Sequence, residues 1–288
     1  LLSISSFEAD MLNFFDEDDN FIKPAIADKF SAGEYLSMIA NVLGTNYIIP
    51  FSSLHEYQRE DSIWANEYIY PIEKYHEGIN SKHVYIKPFS FINSKKDDDF
   101  ININIKKKKL EIKPSNLFGD NWKDELNIKD KKIIEDYFNK FLSFKEKIGF
   151  ISFIVGGKEF NLKFNGPKDK GISFEVPRNS LLTACKYKIF DDLLIGNFMK
   201  TKLYQLNSLY DPSADFTHEI CKFGDNGEAY SKDELNKYNN YYAKKMGKEY
   251  FLDLFATASK DHFKYFFKNY QNSKYYEKLK KVYYYLLK

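Results

Sequence analysis

The sequence predicts an α/β first part, residues 1–115, followed by an α+β second part, 116–288, that is rich in helix. Three observations carry that reading. Ser31 opens an amphipathic stretch that stops at Gly44 and leads into a short apolar run at 46–51, a helix, tight turn and buried strand in succession. Apolar runs at 150–155 and 159–164 flank Gly156-Gly157, a pair able to take positive φ, which is a hairpin signal. From Ser231 onward the pattern is almost entirely helical.

Each element has a local reason. Residues 1–5 read as the tail of a strand, and 16–20 as an acidic loop. Ser31 and Glu34 fit a capping box, in which each side chain bonds the other's free backbone N–H. Ala32, Tyr35, Leu36, Ile39, Val42 and Leu43 fall at helical spacing on one face. Further strands are expected at 83–88 and 100–105, and the second of these alternates with period two, so one face should be buried. The charge runs at 95–99 and 106–109 read as solvated loop ends. A long amphipathic helix is expected over 128–147, with Ile134, Tyr137, Phe138, Phe141 and Leu142 as its stripe. The hairpin should gain a third strand at 172–176 to make a small antiparallel sheet, and Asn179 should cap a helix running to about Tyr187. Ser231 and Glu234 suggest a second capping box, Gly247 a break and Ser273 a last helix start. Tyr275, Tyr276, Leu279, Val282, Tyr283 and Leu286 then form an apolar stripe, read as packing on its own domain.

Composition narrows the function classes. Of 288 residues, 43% are hydrophobic and 29% charged, which is globular rather than disordered. The formal net charge is +2, so no strong field points to nucleic acid or an acidic membrane surface. Lysine is abundant, whereas Arg59 and Arg178 are the only arginines, which argues against a surface built for bidentate phosphate recognition. Cys185 and Cys221 make no disulfide framework and suit reduced thiols in a cytoplasmic protein. No apolar run approaches the ~18 residues of a membrane span, and no signal peptide is visible. The sequence opens on Leu1-Leu2 rather than Met, and the expectation drawn is a fragment or processed product.

The densest polar constellation runs from Ser52 through His55, Glu56, Tyr57, Arg59, Glu60, Asp61 and Ser62 to Trp64 and Asn66. It leaves the end of the predicted 46–51 strand, where α/β folds place their sites. An imidazole can bind a transition metal, and a carboxylate can bind it too or hold the imidazole tautomer. His76 and His83 show no metal spacing, and Asp215, His218 and Cys221 fall short of a four-ligand zinc set. Gly156-Gly157 lies in a hairpin, not between a strand and a helix, so no phosphate loop is read there.

The stretch Tyr47-Ile48-Ile49-Pro50-Phe51-Ser52-Ser53, with Glu60, Asp61 and Asn66 behind it, resembles a branch of the metallo-β-lactamase superfamily. That branch includes the metallo-β-lactamase-like part of CMP-N-acetylneuraminate hydroxylase. Downstream, Phe190-Asp191-Asp192-Leu193-Leu194-Ile195-Gly196-Asn197-Phe198 is similar to its Trp-Asp-Glu-Leu-Tyr-Ile-Gly-Phe stretch, and Leu209-Tyr210-Asp211-Pro212 follows in the same order. The resemblance implies the second half of an αββα metallo-β-lactamase sandwich, followed by a C-terminal α+β region. It implies a metal-dependent hydrolase in which a metal-activated water attacks an ester, amide or phosphoester. The His-x-His-x-Asp-His ligand motif does not occur in this chain, so most ligands are expected upstream and the chain alone is expected to be inactive. The implied assignments are His55 as a metal ligand, Asp61 as a catalytic carboxylate, and Arg59 and Asn66 as substrate-binding residues. His55 departs from the branch pattern, which has a His where Arg59 stands. The cofactor is a divalent metal, zinc or iron. The partner is a small molecule, a nucleotide sugar or sugar acid among the candidates. Two other readings stand beside this one: a nucleotide-sugar hydroxylase fed by an iron–sulfur domain, and a binding module without catalysis.

Overall fold

The computed structural model describes residues 2–3, 14–22, 29–51, 56–93, 95–96, 99–103, 109–142, 144–195, 199–209, 211 and 213–248. The chain divides into two compact units, Leu1–Lys232 and Asp233–Lys288. The first is mixed α/β.

Its N-terminal part is built on three parallel strands in the order β1, β3, β4: β1 (Leu2–Ser3), β3 (Tyr47–Pro50) and β4 (Val84–Tyr85). Helix α1 (Ala32–Leu43) leads directly into β3. Its start follows the sequence: the Ser31 N–H donates to Glu34 Oε2 at 2.8 Å and the Glu34 N–H to Ser31 Oγ at 3.3 Å. Gly44 ends it at φ 64°, a left-handed conformation that glycine adopts without penalty.

The buried face of α1 differs from the expected stripe. Ala32, Gly33, Leu36, Ser37 and Ala40 are buried, while Val42 and Leu43 are 87% and 59% exposed. Backbone proximity decides this. A Cβ on Gly33 would lie 2.2 Å from the Glu77 carbonyl oxygen, and Ser37 Oγ accepts from the Asn80 N–H at 2.9 Å. The turn at 77–80 therefore lies against the small residues of the helix. Leu36, Ala40, Ile48 and Tyr75 complete the small core beneath them.

The strand expected at 100–105 is shorter. β5 (Ser90–Ile92) and β6 (Phe100–Asn102) form a two-stranded antiparallel ribbon. The alternation holds in register but buries neither strand: Phe91 and Ile101, directly opposite, are each 65% exposed.

The larger core lies under a five-stranded mixed sheet ordered β2, β10, β9, β7, β8. These are β2 (Phe14–Phe15), β7 (Phe150–Val155), β8 (Lys158–Lys163), β9 (Gly171–Glu175) and β10 (Lys200–Tyr204). The β7–β8 hairpin turns at Gly156-Gly157, both at positive φ, as their sequence requires. The all-antiparallel expectation fails at β9, which runs parallel to β7. The connection after β8 crosses beside the start of β7 instead of folding back as a hairpin. Glycines permit that crossing: a Cβ on Gly149 would lie 2.2 Å from the Pro167 carbonyl, and one on Gly166 2.5 Å from the Ile148 backbone. β2 joins this sheet beside β10, so a segment near the start of the chain pairs with one nearly 190 residues on, as Thr201 opposes Phe14.

Helix α2 (Ile128–Phe138) carries a capping box of Asn127 and Asp130, and it ends earlier than the pattern suggested. Phe138, Phe141 and Phe144 are all buried, and a spacing of three suits the tighter 3₁₀ turn at Phe144–Glu146. Leu142 is exposed. Helix α3 (Arg178–Tyr187) follows Pro177 directly, so Asn179 lies inside its first turn and is not its cap. Helix α4 (Phe190–Ile195) and a π-helix (His218–Asp225) close the first unit's core, where Phe138, Phe153, Phe174, Phe190 and Phe216 meet.

In the second unit, helix α5 (Lys232–Met246) has Asp233 and Glu234 in its first turn and Lys244 and Lys245 in its last, the order that complements a helix dipole. Tyr238 and Tyr242, one turn apart, bring their rings to 4.8 Å. Gly247, at φ 61°, follows the helix. The helix start at Ser273 and the tyrosine-rich stripe lie outside the described residues, and among those that are described no helix is long and apolar enough to cross a membrane.

Candidate functional site

β3 ends at Pro50, and its exposed neighbour Phe51 leads toward the constellation singled out in the sequence. His55 lies outside the described residues, which resume at Glu56. From there to Asn66 the loop is tied to itself. The Tyr57 N–H donates to Asn66 Oδ1 at 2.8 Å and Asn66 Nδ2 to the Tyr57 carbonyl at 2.9 Å, a two-point clasp. Trp64 Nε1 donates to the Asp61 carbonyl at 3.0 Å. A 3₁₀ helix (Ile63–Tyr68) then packs its aromatics on β2 and on Phe21, which bridges to it: Tyr68 stacks on Phe21 at 4.1 Å, Trp64 lies 5.6 Å from Phe15, and Lys200 Nζ sits over both Phe15 and Trp64.

The loop is also tied to a distant segment. The Glu60 N–H donates to the Lys113 carbonyl and the Lys113 N–H to the Gln58 carbonyl, at 2.9 and 2.8 Å. Glu60 Oε1 accepts from the Ser115 N–H and hydroxyl at 2.8 and 3.0 Å, and these donors hold its carboxyl below the usual carboxylate range. At the centre, Arg59 Nη2 lies 2.7 Å from both Asp61 Oδ2 and Asp120 Oδ2. The guanidinium side chain is 14% exposed and each carboxylate 5%. Trp122 Nε1 donates to the same Asp61 oxygen. Asp120 reaches further, accepting the Ser180 N–H at 3.1 Å and the Ser180 hydroxyl at 2.6 Å. Asp120 thus supplies, from 60 residues away, the N-terminal capping bond of α3 that Asn179 was expected to make. Asn179 instead donates to the Gly119 carbonyl.

Arg59, Asp61 and Asn66 are thus brought into one ordered loop. Asn66 holds the loop's backbone, while Asp61 and Arg59 face one another. Asp120, Trp122 and Ser180 were missed in the sequence. Their signal was faint: a carboxylate and the second tryptophan in the turn Gly119-Asp120-Asn121-Trp122, in a chain with two arginines to satisfy. The other arginine repeats the arrangement, with Arg178 Nε 2.7 Å from Asp130 Oδ2.

A cavity of about 300 Å³ opens beside this network, between Arg59, Phe118 and Asp120 on one side and the Ser180 and Leu193 turns of α3 and α4 on the other. A larger groove of about 710 Å³ lies past the carboxyl end of β4, lined by Glu73, His76, Tyr85 and Lys87. Burial and then the nearby Glu73 charge push the Tyr85 phenol above its ordinary range.

Among the described residues no three His, Cys, Asp or Glu side chains assemble as a metal-binding group. The donor chemistry explains this. Asp61 and Asp120 direct an oxygen each at a guanidinium, so neither carboxylate is arranged around a metal position. His83 bonds the Thr45 carbonyl at 2.9 Å and Asn41 at 3.3 Å. His218 Nδ1 lies 2.6 Å from Asp215 Oδ1, while Cys221 is buried, its thiol pushed well up by burial first and by Asp191 and Asp225 after that. The described residues by themselves do not fit a metal. No family model, no curated protein and no solved structure matches the chain.

Proposed function

We propose that this chain forms one wall of the cleft in a metal-dependent hydrolase of the metallo-β-lactamase type, with His55 as its contribution to the metal ligands and the other ligands supplied from elsewhere. The observation that supports the reading most is the placement of the 56–66 loop. It follows the carboxyl end of β3, a strand of a parallel sheet preceded by helix α1, the position at which α/β sheets bind ligands. Buried ion pairs hold it there. The resemblance of the two sequence motifs, in their order and spacing, is what supports the family in this reading, and with it the substrate class: a small molecule bearing an ester, amide or phosphoester bond. A bound divalent metal, zinc or iron, would supply an activated water. This chain's own described residues hold the loop in place: Asn66 clasps Tyr57, and Arg59 fixes Asp61 and Asp120.

The test is metal content and hydrolysis in the protein carrying this chain. Elemental analysis after dialysis should find zinc or iron, and His55→Ala should lower it. Chelation should abolish turnover of p-nitrophenyl phosphate or p-nitrophenyl acetate. Unchanged metal content in His55→Ala, together with turnover that survives chelation, would overturn the reading. Absence of both bound metal and turnover would leave a binding module without catalysis, a reading favoured by the way Arg59 pairs with Asp61 and Asn66 clasps the Tyr57 backbone.

A further inference from the structure

We propose that the cavity between Arg59, Phe118, Asp120 and helix α4 is a binding site for a small organic ammonium ion. The inference is independent of the metal-hydrolase reading. It rests on charge, shape and wall chemistry.

The charge is the first argument. Among the described residues lining the cavity, Arg59 is the cation, and Asp120 and Asp192 are carboxylates. Arg59 also carries Asp61 on the same Nη2 atom that bonds Asp120. Three carboxylates therefore stand against one guanidinium, and the cavity is electronegative despite the arginine in its wall. An anion would meet repulsion there, whereas a cation would be attracted.

The walls decide which cation. Asp120 already accepts three hydrogen bonds, from the Ser180 N–H, the Ser180 hydroxyl and Arg59, out of the roughly four a carboxylate can take. That leaves one acceptor position on Asp120 and the exposed carboxylate of Asp192 on α4. A hard metal ion wants six or more oxygen ligands and does not find them here. Of the remaining lining, Phe118, Ile189 and Leu193 give an apolar face, beside the neutral polar side chains of Asn179, Ser180 and Thr183. Phe118 is about half exposed, and Arg59 Cζ lies 5.7 Å from its ring centroid, so the ring already accepts a cation on one face. An ammonium group carrying methyl or methylene groups satisfies all of these at once. Its charge is shared between carboxylate and ring, and its carbon surface lies against Ile189 and Leu193. The volume, about 300 Å³, is at the small end for ligand pockets and sets the size class.

The experiment is calorimetric titration of the intact chain with choline, with 3,3-dimethylbutan-1-ol as its neutral isostere and sodium acetate as the anion. Choline should bind saturably, and the isostere should bind at least about tenfold more weakly, since only the charge differs. Asp192→Asn and Phe118→Leu change exposed side chains outside the Arg59 ion pairs. Each should weaken choline binding while far-UV circular dichroism stays the same. The Phe118→Leu loss should be about 2- to 30-fold, the range that cation–π contacts span between exposed and desolvated sites. Three results would each overturn the proposal: equal binding of choline and its neutral isostere, binding of acetate in preference to choline, or choline affinity unchanged in both variants. Absence of any choline heat up to ~50 mM would overturn it as well, because an affinity weaker than that corresponds to less than about 2 kcal/mol of binding.

Discussion

Arg59 should be the most costly single side chain to lose in the N-terminal part of this protein. One nitrogen, Nη2, bridges Asp61 and Asp120 at 2.7 Å each, and both carboxylates are 5% exposed. Replacing Arg59 with Leu keeps much of the apolar stem but strands two buried negative charges beside one another. Breaking a buried pair from one side costs about 3–5 kcal/mol, because the remaining charge is uncompensated. That is a fifth or more of the ~5–15 kcal/mol that holds a typical domain folded. Urea denaturation followed by tryptophan fluorescence suits the measurement, since Trp64 and Trp122 both hydrogen-bond to Asp61. Arg59→Leu should lower the midpoint and shift the emission before the far-UV signal of α2 and α3 is lost. Adding Asp61→Asn and Asp120→Asn to Arg59→Leu should recover much of the loss, because the stranded charges go while acceptors for Trp122 and Ser180 remain. A cost under about 1 kcal/mol for Arg59→Leu, the value of an exposed ion pair, would refute the reasoning.

Two further outcomes follow from the packing and the charges. Burial raises the Asp130 pKa, but the Arg178 hydrogen bond, the Asn127 N–H and the Arg178 charge outweigh it, so the carboxyl is held below its ordinary value. Its stabilisation is therefore complete above the ordinary carboxylate range and is lost as pH falls through the lowered value. The stability lead of wild type over Asp130→Asn should be full at pH 7 and vanish as pH falls below about 4, and a lead that grew on acidification would contradict it. Gly33→Ala should destabilise by about 1–3 kcal/mol through overpacking, despite the better helix propensity of alanine. The added Cβ would meet the Glu77 carbonyl at 2.2 Å and the Ile79 nitrogen at 2.8 Å, both backbone atoms that cannot rotate away. Thermal unfolding by circular dichroism would show it, and a raised midpoint would refute it.

The sequence by itself determined the elements whose cause is local. The Ser31–Glu34 capping box, the Gly44 stop, the strand before Pro50 and the Gly156-Gly157 hairpin were all legible, because each depends on bonds or dihedral angles within a few residues. The polar loop at the end of β3 was legible for the same reason: charge concentrated after an apolar run has few places to go except the surface near a strand end. What only the tertiary structure decided is everything set by backbone meeting backbone across long separations. The buried face of α1 follows the turn at 77–80, which the helix's own apolar spacing does not report. β9 lies parallel to β7 because glycines at 149 and 166 let two segments cross. Asp120 caps α3 and neutralises Arg59 from 60 and 61 residues away, so a residue with no local pattern sets the charge of the candidate site. Hydrophobic periodicity records what a segment needs to bury, and the partner that buries it is chosen by the close packing of the whole unit.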